Sequence, residues 1–144
     1  MAPIKWEPYT RNCKAIEKHF GLTPPTLYST NQLYSTGGAY LKNTHSIVVA
    51  QWVIDNATHS ELIKILGHEL AHAMQMTIKE DPNPKRNRSH TTVWYECMKQ
   101  LGLEPFESVY DLSPQLAIKA PTARRKGEKW FKERVERSGR TWFK

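Results

Sequence analysis

The sequence predicts an α+β fold: a single domain in which a small sheet of about three strands, mainly antiparallel, packs on helices, with a basic extension at its C-terminal end. Three observations carry this. Apolar residues recur at helical spacing in Thr10 to Phe20, Ser60 to Thr77 and beyond Thr91, whereas Leu27 to Trp52 is rich in β-branched and aromatic residues punctuated by Gly37-Gly38 and Lys42-Asn43. A chain of 144 residues with 39% hydrophobic content suffices for one core and is too short for two ordinary domains. The formal charge of +7 is concentrated at one end: residues 1–120 hold 12 Lys and Arg against 11 Asp and Glu, and residues 121–144 hold 9 against 3. The chain thus divides into a domain, 1–120, and an extension, 121–144.

The first helix is expected over Thr10 to Phe20, where Cys13, Ile16 and Phe20 share a face and Gly21 is a stop signal. His19, near its end, reads as a surface residue favoured by the helix dipole. Thr23-Pro24-Pro25 breaks the chain. Leu27 to Tyr28, Leu33 to Leu41 and Ser46 to Trp52 read as strands, largely antiparallel because their connections are too short for crossovers. Ser46 to Ala50 is the most hydrophobic and should be central. Gly37-Gly38 within a strand pattern marks a bulge, a turn or a close approach of another backbone. Gly37, Gly38, Ala39 and Tyr40 therefore form a candidate strand edge for an extended substrate. His45 and His59 have no partner at ligand spacing.

Thr58-x-x-Glu61 is a capping box that opens the next helix, Ser60 to Thr77, whose apolar face includes Leu62, Leu66, Leu70 and Met74. Within it stands His68-Glu69-Leu70-Ala71-His72. Two histidines four apart project from one helix face about a turn apart, so both imidazoles can reach one tetrahedral metal ion. Glu69 lies on the flank of that face, the general-base position of zinc hydrolases.

A polar loop with two prolines and the cations Lys85, Arg86 and Arg88 follows, ending at His90. Trp94, Cys97 and Leu101 then recur at helical spacing until Gly102, and counting back places His90 at the head of the same core-facing stripe. His90 is the candidate third ligand; three nitrogens leave the fourth position of a zinc for water, as a catalytic site requires. Glu96, 24 positions after His72, and the nearer Glu80 and Asp81 are its competitors. Gln75 and Ile78 stand where a metzincin would need Gly and His, which excludes that family.

A glycine-containing strand pair, an apolar strand, the His68–His72 helix, a polar loop, then a histidine opening a Trp-containing helix that ends in Leu101-Gly102-Leu103, together resemble the SprT-like zinc metalloprotease family with its Spartan-like protease domain. The resemblance covers roughly residues 10–106. It implies a compact zincin-type domain, one zinc ion per chain held by His68, His72 and His90, Glu69 as catalytic base, and a cleft flanked by the glycine-bearing strand Gly37 to Leu41. Two departures stand out: Thr91 follows the third histidine where the family commonly has glycine, and no cysteine follows Cys97, so the four-cysteine zinc ribbon of many relatives is missing.

In its place the extension carries Arg124-Arg125-Lys126, Lys129-Trp130-Phe131-Lys132 and, beyond Ser138-Gly139, Arg140-Thr141-Trp142-Phe143-Lys144. Cations that contact phosphates, interleaved with aromatics that stack on bases, suit single-stranded DNA, with Arg124, Arg125, Lys126, Lys129, Trp130, Lys132, Arg140 and Trp142 as the contacts. The alternative is that the aromatics pack on the domain and the cations are solvated. A hairpin about Ser138-Gly139 and a short helix over Lys126 to Arg137 both fit. The expected function is zinc-dependent hydrolysis of peptide bonds in proteins associated with nucleic acid. The rival is a non-proteolytic nucleic-acid-binding protein whose structural zinc is closed by a fourth protein ligand such as Glu96. Cys13 and Cys97 suggest neither a disulfide framework nor a cysteine metal site. No apolar run spans a bilayer and the first residues lack signal-peptide character, so an intracellular protein with no membrane contact is expected, assumed monomeric.

Overall fold

The structure, a computed structural model, describes residues 3–81 and 90–137. Helix α1 (Glu7–Phe20) begins three residues before Thr10 because a first helical turn admits Pro8, whose missing N–H would be unbonded there anyway. It stops as predicted: Gly21 takes φ 74° and its N–H bonds the Glu17 carbonyl at 2.9 Å. Tyr9, Cys13 and Ile16 enter the core. His19 is exposed.

Three strands form, β1 (Thr26–Thr30), β2 (Gly38–Leu41) and β3 (Ser46–Ala50), in the order β1-β3-β2. β3 is central and buried along its whole length. The pairing is mixed: β2 lies antiparallel to β3, but β1 lies parallel to it. The short connections do forbid a direct parallel crossover, yet β2 itself serves as the connection. The chain reverses twice between β1 and β3, which therefore run the same way, and β3 inserts between its two predecessors instead of extending a meander. The segment from Leu33 to Gly37 is not strand; it is held by the Trp52 indole N–H, which donates to the Leu33 carbonyl at 2.9 Å, and by the Ala50 N–H on the Gly37 carbonyl at 2.9 Å.

Gly38 is the residue at which backbones come close. A Cβ there would stand 2.9 Å from the Val48 carbonyl oxygen and 3.5 Å from the Glu69 side chain, whereas one at Gly37 would meet Val53 and Ile65 at ordinary contact distance. The turn between β2 and β3 is closed by His45, which holds φ 46° while its ring bonds the Tyr40 hydroxyl at 2.7 Å and the Thr23 carbonyl at 2.6 Å.

After α2 (Gln51–Asn56), Thr58 and Glu61 form the expected capping box, and α3 (His59–Ala73) runs under the sheet. It does not stay α-helical to Thr77. From Met74 to Ile78 it widens into a π turn, with the Lys79 N–H on the Met74 carbonyl at 2.9 Å. Helix α4 (Thr92–Gln100) packs across α3, and the segment beyond it closes down where Gly67 has no side chain: a Cβ there would sit 2.2 Å from Leu103 Cδ1. Short helices α5 (Val109–Leu112) and α6 (Pro114–Ala117) lead to α7 (Pro121–Lys126) and α8 (Glu128–Arg137).

The extension is helical but in two pieces: α7 ends at Lys126, Gly127 breaks the chain with φ 97°, and α8 carries the expected helix from Glu128 to Arg137. Ala123 is buried, the Thr122 N–H bonds the Tyr34 carbonyl at 3.0 Å, and Trp130, Phe131 and Val135 pack half-buried on the core. The first arm of a hairpin about Ser138-Gly139 would fall on Lys129 to Arg137, which is helix and not strand, while Ser138 onward, with Arg140 and Trp142, lies outside the described residues. Both cysteines are buried free thiols, and among the described residues no helix is long and apolar enough to cross a membrane.

Gly38→Ala is expected to cost about 1–3 kcal/mol through the backbone clash, with Gly37→Ala close to neutral. Thr58→Ala should cost about 1 kcal/mol as the cap is lost. Urea unfolding checks all three; equal values for the two glycines would contradict the close approach at Gly38.

Candidate metal centre

Helix α3 sets His68 and His72 one turn apart on a buried face, and His90 arrives from the residue pair that opens α4. The ligand atoms of the three rings lie within 4.8 Å of one another. All three stand on one indole. Trp94, fully buried, has its ring centroid 4.7 Å from His68, 5.4 Å from His72 and 4.4 Å from His90. The stripe that predicted His90 from Trp94 is therefore the physical floor of the site.

Hydrogen bonds on the far side of the rings fix their protons. His68 Nδ1 donates to the Phe106 carbonyl at 2.9 Å and His72 Nδ1 donates to Gln75 Oε1 at 2.8 Å; His90 Nδ1 faces Glu107 Oε1 at 3.5 Å. With protons at Nδ1, His68 and His72 present their Nε2 lone pairs to the common centre, which His90 Nε2 also faces. The Nε2 atoms of His68 and His90 are 3.1 Å apart. That spacing is close to what a shared ion imposes, since Zn–N bonds of about 2.0–2.1 Å in a tetrahedron put nitrogens roughly 3.3 Å apart. Burial also favours the neutral imidazoles that bind metal: it drives His68 well below the ordinary histidine range, helped by His72 and His90, and lowers His72 and His90 to about 4. The donor set fits zinc.

Glu69 is buried beside this group, with Oε2 4.0 Å from His68 Nε2, and accepts a hydrogen bond from the Tyr40 backbone N–H of β2. Burial pushes its carboxyl up to about 8, with the Tyr40 bond acting in the opposite direction. None of the competing carboxylates joins the histidines. Glu96 is exposed on α4, Glu80 is exposed with φ 46°, and Asp81 is turned toward Gln75 and Thr91. His45 and His59 are structural, the latter with its ring 5.0 Å from Trp6.

The site opens on a cleft of about 490 Å³. One wall is Gly37, Gly38, Ala39 and Tyr40; the other is Phe106 to Tyr110 backed by Trp130 and Arg134 of α8. The Arg134 guanidinium lies 4.5 Å from the centre of the Tyr110 ring and 3.5 Å from Ser108 Oγ, and Trp130 stands 6.0 Å from Tyr110. The inner face of α8 therefore belongs to the cleft. Arg124, Arg125, Lys126, Lys129 and Lys132 lie on exposed faces of α7 and α8, with Lys132 paired to Glu128 at 2.9 Å.

Gln75, Glu107, Arg134 and the Phe106 carbonyl are the residues sequence reasoning missed. Gln75 left a trace, as a polar side chain on the apolar face three positions after His72; a backbone carbonyl leaves none. A family model described as SprT-like matches residues 12–115 and stops short of α7. Comparison with curated proteins and with solved structures gave no match.

A carboxyl raised by burial contributes stability that is complete below its ordinary value near 4.5 and is lost as pH climbs through about 8. Metal-free Glu69→Gln should therefore gain on metal-free wild type between about pH 5 and pH 8, by about 1.4 kcal/mol for each pH unit crossed. Urea unfolding in chelator measures this; parallel pH curves would contradict the desolvated carboxyl.

Proposed function

The chain belongs to the SprT-like family, and from that membership and its converging histidines we propose that it is a zinc-dependent metallopeptidase that hydrolyses peptide bonds. The observation that carries the reading is three neutral imidazoles whose ligand atoms gather within 4.8 Å beside a buried carboxyl, at the floor of an open cleft. His68, His72 and His90 would hold the metal. Bound there, zinc supplies Lewis acidity to the scissile carbonyl and to a water molecule.

Glu69 is the general base. Its Oε2 faces the histidine group and the Tyr40 N–H holds its carboxyl in place, so as a carboxylate beside the bound metal it can take a proton from the attacking water and return it to the leaving amine. β2 is an edge strand, so an extended peptide can add to it by main-chain pairing and lie across the site. Gly38 keeps that strand close to Glu69. On the opposite wall Trp130 and Arg134 meet the substrate side chains.

Substrates associated with nucleic acid are part of the proposal. Its support is the exposed cations Arg124, Arg125, Lys126, Lys129 and Lys132, a surface suited to phosphate, with single-stranded DNA as the favoured partner. Trp130 contributes from the cleft side instead, half-buried against Tyr110. A structural zinc site would need a fourth protein ligand, and the exposed position of Glu96 counts against it.

Glu69→Gln is expected to lower cleavage of casein and of unstructured peptides by about 10²–10⁴-fold, with zinc content unchanged. Assays with and without single-stranded DNA test the partner. A variant that cleaves at the wild-type rate would refute the base, and a zinc-loaded wild type inert under every condition would refute the peptidase.

A further inference from the structure

Gln75 is among the largest fully buried side chains and does not belong to the ligand set. The π turn from Met74 to Ile78 carries it, and its hydrogen bonds allow one orientation of the amide. Nε2 faces two oxygens, Asp81 Oδ2 at 3.0 Å and Thr91 Oγ1 at 3.2 Å, so Oε1 is the atom turned to His72 Nδ1 at 2.8 Å. The Thr91 hydroxyl donates to the same Asp81 Oδ2 at 2.5 Å and accepts from the Trp94 N–H at 3.4 Å. The Asp81 N–H closes the ring on the Gln75 carbonyl at 3.0 Å.

A carboxylate can only accept hydrogen bonds, so it gives this network a direction. Two donors are drawn to Asp81 Oδ2. The Gln75 amide cannot flip without pointing its oxygen at that carboxylate, and with Oε1 held toward the ring, His72 must carry its proton on Nδ1. Its Nε2 is then left free for a metal. The same carboxylate grips Thr91, the residue next to His90. Ligands 18 positions apart in the chain are thereby governed from one point.

We propose that Asp81 is a positioning residue of the metal site: acting through Gln75 it fixes the tautomer of His72, and acting through Thr91 it seats His90. The inference rests on the reading of His72 and His90 as metal ligands. It is the carboxylate–histidine arrangement of metal sites with an amide inserted between the two groups. Thr91 serves both ends of the arrangement, bonding Asp81 and capping α4.

The test is made on the full chain with zinc as the probe. Long-range ¹⁵N–¹H correlation spectra of the metal-free protein report the tautomer of His72, and competition with a chromophoric chelator reports zinc affinity. Wild type should show Nδ1–H alone. Asp81→Asn, which keeps the shape and removes the charge, should show a tautomer mixture and bind zinc about 10–100-fold more weakly, and Gln75→Ala should do the same. Thr91→Val should weaken zinc binding and Thr91→Ser should restore it, a pair that carries the test if Asp81→Asn does not fold. An Asp81→Asn protein with the wild-type tautomer and affinity overturns the proposal, as does Thr91→Val binding zinc as tightly as wild type. Neither readout requires cleavage. A wild type whose zinc affinity depends on Asp81 but which hydrolyses nothing contradicts the peptidase reading alone.

Discussion

Three imidazoles can present their lone pairs to one point in a protein interior only if each ring's proton is held on the opposite side. That constraint organises this molecule. The Phe106 carbonyl serves His68, Gln75 serves His72 and Glu107 approaches His90, so two of the partners come from one segment beyond α4 and the third from the end of the α3 helix. The segment beyond α4 must close on α3, which Gly67 permits, for the Phe106 carbonyl to arrive, whereas Gln75, three positions after His72, reaches it from the next turn of the same helix. Trp94 then fixes the spacing of all three rings by packing against each.

What was legible in the sequence is what depends on periodicity and local chemistry. The capping box at Thr58 and Glu61, the stop at Gly21, the central apolar strand and the His68–His72 face follow from rules that operate within a few residues. His90 was legible for the same reason, since one helical stripe runs through it and Trp94. Strand pairing was less so. The hydrophobicity of β3 placed it at the centre, with all five of its residues buried, but the local spacing that argued for antiparallel neighbours could not say that β1 would lie parallel to it. The partners of the histidines were the least legible, because a carbonyl at position 106 and a glutamate at position 107 meet the site only through tertiary closure.

The basic extension shows a related limit. Charge counting treats α7 and α8 as one cationic surface, but an amphipathic helix divides its residues by face. Lys129 and Lys132 look outward, while Trp130, Phe131, Arg134 and Val135 turn in, and Arg134 lies over Tyr110 at the cleft. An element that reads as a tail is thus also a wall. The helix that carries the outer cations lines the cleft with its other side.

The central claim is that three histidines and no fourth protein group hold a catalytic zinc. X-ray absorption at the zinc edge on the purified protein, with elemental analysis, tests it most directly. The account predicts one zinc per chain with three imidazole nitrogens at about 2.0–2.1 Å and one light oxygen scatterer that is exchangeable with added anions. A closed shell of four protein ligands, or three-imidazole scattering that persists unchanged in His90→Ala, would contradict it.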